Sequence, residues 1–298
     1  MGYNKKKEKR AEYMNWEKEL KRVGIVPIRS LRPDEKNYII RQFVQRLQKI
    51  YDISEQEYNR IFMKMNNCPM YLSEINGCLG KANYFYKNQS IYFDQSLDLE
   101  NLDEVALHEC IHYFQDCREK DGALNRIGLC EFREFSVNGL GLNEAAVQYI
   151  VSDMLEKKEE EVEIYGIKLK TKSPTYYPIM CNLMQQIIYL VGKETVFNST
   201  LYNKNELEEW YFYYCGDSTL NSIKSKFDAI IEEKQKLKES EVRLVEQLQW
   251  QGIKQKVKDE QSQWKIRKLY EETQREILIS YFDRSISFTR NYRRSRRI

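Results

Sequence analysis

Residues 107–116 read LHECIHYFQD. The stretch holds both histidines of a 298-residue chain, His108 and His112, with Glu109 beside the first. Residues four apart on an α-helix lie on one face, one above the other. Two imidazoles so placed can aim nitrogens at a point about 2 Å from each, the length of a zinc–nitrogen bond. Glu109 then sits next to that face, able to reach water at the metal without being a ligand. The pattern is HExxH, two metal ligands and a general base. The plainer alternative is a helix with two half-buried histidines and a solvated glutamate. Two facts weigh against it. The whole histidine stock of the chain lies inside the motif. The motif also follows a strand-like stretch, SIYFDQ, at residues 90–95.

A catalytic zinc takes three protein ligands and leaves a position for water. No third histidine exists, and the cysteines have no ligand-like spacing. The third ligand is therefore expected to be a carboxylate. Glu144, in GLGLNEAAVQYIV (residues 139–151), is the best candidate, because it lies on an otherwise apolar helix where an unpaired carboxylate is costly to bury. Gln148, one turn later, can accept the N–H of a ligating histidine and fix its tautomer. The competing reading makes Glu144 an acid of the first helical turn, favoured by the helix dipole, with Asn143 or Gly141 near the cap.

HECIH followed by NEAAVQ resembles the zincin metallopeptidases, specifically the gluzincins, over roughly residues 70–190. The resemblance implies an α+β fold with a zincin-like core, a small antiparallel sheet packed on the HExxH helix. It implies zinc as cofactor, His108, His112 and Glu144 as its ligands, and Glu109 as general base. Gln148 falls where many gluzincins carry an aspartate that orients a histidine. The gap from His112 to Glu144 is longer than in that family, so RIGLCEFREFSVNG (residues 126–139) reads as an insertion, a hairpin over the site. No downstream histidine is present to stabilise an oxyanion. Tyr177, in SPTYYPIM (residues 173–180), is the first choice for that work ahead of Tyr176 and Tyr149; the alternative is a core or surface tyrosine, one among 22. The implied function is zinc-dependent hydrolysis of a peptide or protein substrate, which would add as a strand along SIYFDQ.

Composition narrows the alternatives. Apolar residues make up 42% and charged residues 31%, a soluble globular profile, and the net charge of +3 is too small to mark a nucleic-acid binder. No apolar run approaches the ~20 residues of a spanning helix. MGYNKKKEKRAEY has a basic start without an apolar region behind it, so no secretory signal is expected. Lys6 stands where a myristoylation motif needs Ser or Thr. Seven scattered cysteines and no export signal suggest reduced thiols and a cytoplasmic location. No CxxC, P-loop, GxGxxG, GxSxG or EF-hand pattern occurs.

Periodicity predicts four regions. Residues 1–66 are helical: a polar helix to residue 23, an apolar stripe from Ile39 to Tyr51, and a helix from Ser54 with a capping-box pattern to Glu57. Residues 67–222 form the catalytic region, with two or three antiparallel strands in residues 68–95 and helices around the motif, over residues 142–155, up to Gly192 and over residues 205–215. Residues 223–283 form a charged helical hairpin or coiled coil. Its heptad is Ile223, Ile230, Leu237 and Leu244, with Phe227 and Leu248 between, a break at Gly252, and resumption at Val257 and Trp264. Residues 284–298 form a basic tail suited to an anionic membrane surface or nucleic acid. The C-terminal helices also suggest self-association. A second functional reading follows, a non-catalytic interaction protein acting through these helices and this tail. Cys110 and Cys117 read as core packing, and Asp94 and Asp98 as turn or cap residues.

Overall fold

The apolar stripe after Arg32 forms a helix, and all of Ile39, Ile40, Phe43, Val44 and Leu47 are buried on it. The structure is a computed structural model. It describes residues 16–76, 80–120, 122–133, 136–246 and 252–295, and of residues 133, 217, 239–246, 252–257 and 287–295 the backbone alone. The fold is α+β. Its contacts divide it into two compact units, Met1–Asp116 and Cys117–Ile298.

In the first unit a short helix (α1, residues 16–22) leads into β1 (Ile25–Ser30), a strand inside the N-terminal region that was expected to be helical. Then follow α2 (Pro33–Ile50), α3 (Glu55–Asn66), β2 (Met70–Ile75), β3 (Ala82–Phe85), β4 (Ser90–Asp94) and α4 (Glu104–Gln115). Proline at the first turn and Asp34 and Glu35 at the positive end of the dipole favour the start of α2. Ser54 caps α3 through the Glu57 amide at 3.2 Å, while the Glu57 carboxylate turns to Arg60 instead of closing a capping box.

The expected antiparallel sheet is a mixed one, in the order β1-β2-β4-β3. β2 runs parallel to β4, and β3 antiparallel to it. β4 is the SIYFD stretch, and it is paired on both sides. It therefore has no edge to offer a peptide, and the proposed strand addition along residues 90–95 is corrected on that ground. All of Ser90–Phe93 is buried, which explains why this strand reads as a continuous apolar run rather than an alternation. Tyr71 and Tyr92 stack across the parallel pair at 5.2 Å. Asp94 accepts from the amides of Ile75 and Ser96, and Asp98 from Glu100, so both act as turn residues as expected.

The second unit opens with the antiparallel sheet β5-β6-β7-β8, formed by Asp116–Arg118, Leu124–Ile127, Cys130–Arg133 and Ser136–Asn138. The segment expected as one hairpin, residues 126–139, thus supplies β7, β8 and the end of β6. α5 (Leu140–Met154) follows, then a hairpin of β9 (Glu160–Ile164) and β10 (Ile167–Thr171) that the sequence reading passed over. Its two-residue turn puts Tyr165 at φ 54° and Gly166 at φ 77°, the left-handed pair that matches strand twist. α6 (Pro178–Val191) ends at Gly192, as the sequence suggested. α7 (Lys193–Tyr202) was not anticipated; α8 (Glu206–Cys215) was.

α9 (Asp217–Glu246) and α10 (Gly252–Ser295) close the unit as an antiparallel pair, since Ser222 bonds Glu276 and Ser262 bonds Glu233. The expected heptad holds on α9, where Ile223, Phe227, Ile230 and Leu237 are buried. It fails on α10. Trp264 is 56% exposed, and the buried seam instead runs Ile266, Tyr270, Thr273, Ile277 and Ser280. Thr273 and Ser280 bury their hydroxyls by bonding carbonyls four residues back, so two seam positions carry no apolar signal. The side chains of Leu244, Leu248 and Val257 lie outside the described residues. The segment expected as a basic tail continues α10 as helix to Ser295. No helix among the described residues is long and apolar enough to cross a membrane.

Candidate metal centre

Both histidines lie on α4, whose start is fixed from within its own sequence. Asp103 accepts from the Ala106 amide at 3.0 Å as an N-cap. Its far end is held by Lys64 of α3, whose ammonium donates to the carbonyls of Phe114 at 2.6 Å and Asp116 at 3.2 Å. A cation there satisfies carbonyls that the helix leaves unpaired and suits the dipole. α4 packs on β3, β4 and α3. His108 is buried and His112 half-buried, with ring centroids 4.6 Å apart and planes at 74°. His112 Nδ1 lies 3.3 Å from Gln115 Oε1. With the amide oxygen as acceptor, the proton sits on Nδ1 and leaves Nε2 to ligate. Gln115 is thus placed to orient that ring; the sequence analysis did not name it, although its place three residues on, on the same helical face, was legible.

Glu109 is held by backbone. Its Oε2 accepts from the Tyr84 amide at 2.6 Å. Tyr84 belongs to β3, the outer strand of the sheet, and its hydroxyl donates to Asp116 Oδ2 at 2.6 Å. Glu109 is not among the potential metal ligands of the described residues.

Glu144 lies on α5, and α5 is set by tertiary contacts. Its cap is Gly139 at φ 82°, with no capping side chain of its own. Asp228 of α9 does that work, accepting from the amides of Gly139 at 2.8 Å and Gly141 at 2.7 Å. Burial raises the pKa of Asp228 above the ordinary carboxylate value, with the two amides pulling the other way. A Cβ on Gly141 would stand 2.3 Å from the Phe227 carbonyl oxygen, so only glycine allows α5 to lie this close to α9. From Gly141 to Met154 every residue is buried except Glu144, which is half-buried. Glu144 is also past the first turn, which counts against the dipole explanation for it.

Each unit carries potential metal ligands among its described residues, His108 and His112 in the first and Glu144 in the second. Two imidazole nitrogens and a carboxylate oxygen form a donor set that suits zinc. No cysteine is among these potential ligands. Cys110 is buried and burial holds its thiol well above its ordinary pKa, so it packs as expected; Cys117 is exposed and does not. The six described cysteines are all free.

The remaining expected residues are placed as follows. Gln148 donates from its amide nitrogen to Ser173 Oγ at 3.0 Å. Tyr177 caps α6 in the left-handed region at φ 51°, and the Lys234 ammonium sits 4.2 Å from its ring centroid. Lys234, on α9, is half-buried. Burial lowers its pKa, opposed in part by the charge of Glu144. Nothing in the sequence singled out this lysine among the charged positions of a heptad helix.

No family model, curated protein or solved structure matches the chain.

Proposed function

We propose that the chain is a zinc-dependent peptide-bond hydrolase, with His108, His112 and Glu144 as metal ligands and Glu109 as general base. The observation that carries this reading is the histidine pair of α4, its ring centroids 4.6 Å apart, with the Glu109 carboxylate fixed beside it by the Tyr84 amide. Glu144 joins the pair as the one carboxylate on the otherwise buried length of α5 from Gly141 to Ser152. Zinc in such a site supplies Lewis acidity, polarising a carbonyl and making water acidic near neutral pH.

The rest of the chemistry belongs to the chain. His108 and His112 approach the site from adjacent turns of α4, and Gln115 holds the tautomer of the second. The Tyr84 amide fixes the rotation of the Glu109 carboxylate. That carboxylate takes a proton from water and returns it to the leaving amine. β3 replaces β4 as the strand alongside which a peptide would lie, being the outer strand of its sheet.

The test is metal content together with cleavage. Wild-type protein is expected to hold about one zinc per chain, and His108→Ala and Glu144→Ala to lose it. Glu109→Gln should retain the metal and cleave a peptide library at least ~100-fold more slowly. Zinc retained by Glu144→Ala at wild-type affinity would remove the carboxylate from the site. Metal bound at full stoichiometry with no difference between wild type and Glu109→Gln would leave a structural ion and no hydrolase.

A further inference from the structure

A second site lies wholly within the Cys117–Ile298 unit. Three separate pieces of that unit enclose a pocket of about 170 Å³: the turn of the β9–β10 hairpin, the start of α6, and the α9–α10 pair. Its walls are apolar, with Tyr177, Met180, Ile230 and Ile266 among them, and none of its lining residues is acidic. One charged group reaches it, Lys234. Among the described residues the Lys234 ammonium makes no ion pair and no hydrogen bond; it sits 4.2 Å from the ring centroid of Tyr177, and the charge of Glu144 acts on it without pairing. Other lysines of the same helix are neutralised. Lys224 pairs with Glu131 and Glu208, Lys226 with Glu276, and Lys236 with Glu233.

A half-buried ammonium costs free energy unless an anion or hydrogen-bond acceptors meet it. The aromatic face supplies part of that compensation and fixes the ammonium at the pocket wall. The volume is below the ~300–1,000 Å³ of clefts that take drug-sized ligands. It fits one compact apolar group.

We propose that this pocket binds a carboxylate carried on a compact aliphatic or aromatic group, with Lys234 as the anion contact and the apolar walls as the specificity element. A small free carboxylic acid and the C-terminal residue of a peptide share that chemistry. No ligand of the proposed zinc site lines the pocket, though the charge of Glu144 acts on Lys234, so both metal states enter the test.

The experiment uses the full chain and isothermal titration with four probes: 4-methylpentanoate, its neutral amide, acetyl-Gly-Leu with a free C-terminus, and the same peptide as its C-terminal amide. Each is titrated into zinc-loaded and metal-free protein. A carboxylate probe is expected to bind at least about tenfold tighter than its amide, in both metal states. Lys234→Met keeps the aliphatic stem and should erase that difference. Preference for the peptide over 4-methylpentanoate identifies a C-terminus as the ligand; the reverse identifies a free acid. Equal binding of acid and amide to wild type overturns the proposal without any variant, so a misfolded Lys234→Met cannot shield it. Failure of every probe to bind at millimolar concentration overturns it too. Carboxylate binding that requires zinc and survives in Lys234→Met assigns the anion to the metal and also overturns it.

Discussion

The two helices that carry the proposed ligands are held in place by opposite means. α4, with the histidine pair, begins at an aspartate in its own sequence, Asp103, only three residues before the amide it caps. α5, with Glu144, begins at a glycine and borrows its cap from Asp228, 87 residues beyond Gly141 and 89 beyond Gly139. α4 keeps a mixed face, with His112 and Glu109 half-buried, whereas α5 is sunk in its unit with Glu144 as its one half-buried residue after Leu140. A locally capped helix states its position in sequence. A helix docked by close backbone approach states only that it must have glycine there.

That contrast can be broken most severely at Gly141. Gly141→Ala forces a Cβ into the Phe227 backbone, and the expected loss is about 3 kcal/mol in urea unfolding, with weaker zinc retention because Glu144 rides on the displaced helix. A wild-type unfolding curve for this variant would mean that α5 is not pinned to α9. Asp228→Ala should cost less, about 2 kcal/mol, by leaving two amides without their acceptor. Asp103→Ala, the local counterpart, is expected to cost about 1 kcal/mol, and a loss equal to that of Asp228→Ala would erase the distinction between the caps.

The smallest effect concerns the entry of α2, a second locally specified helix. A bidentate hydrogen bond from Arg29 holds the Glu35 carboxyl at a pKa of about 2, helped by the Arg32 amide. A depressed folded pKa stabilises the fold above the ordinary value of 4.5, and that contribution is lost as pH falls toward 2. Glu35→Gln should therefore lower the thermal midpoint slightly at pH 7, and the gap to wild type should narrow between pH 4.5 and pH 2. A gap that widens with acid would give the interaction the wrong sign.

Much of the helical framework was legible because its signals are local. Pro33 and the stripe from Ile39 to Leu47 announce α2, Ser54 announces α3, and Gly192 ends α6. The misses have particular causes. β1 carries Pro27 beside a register shift against β2, which spoils any alternation. α7 is KETVFNSTLY, rich in residues of poor helix propensity, and is helical through burial of Val196 to Leu201. The β9–β10 hairpin was readable, since Val162, Ile164, Ile167 and Leu169 alternate around a Tyr-Gly turn. The parallel pairing of β2 with β4 was not, because neither strand's sequence records which neighbour it meets.

For the candidate site the division is similar. Sequence alone nominated the two imidazoles and Glu109, since i, i+4 spacing on one helix fixes their relation whatever surrounds them. It also nominated Glu144, as a carboxylate out of place on an apolar helix. Only the tertiary structure decided that Glu109 hangs from the amide of Tyr84, that α5 is seated by Asp228, and that Lys234 stands over the ring of Tyr177 without an ion pair. Those relations join residues with no shared period, and a one-dimensional pattern carries no term for them.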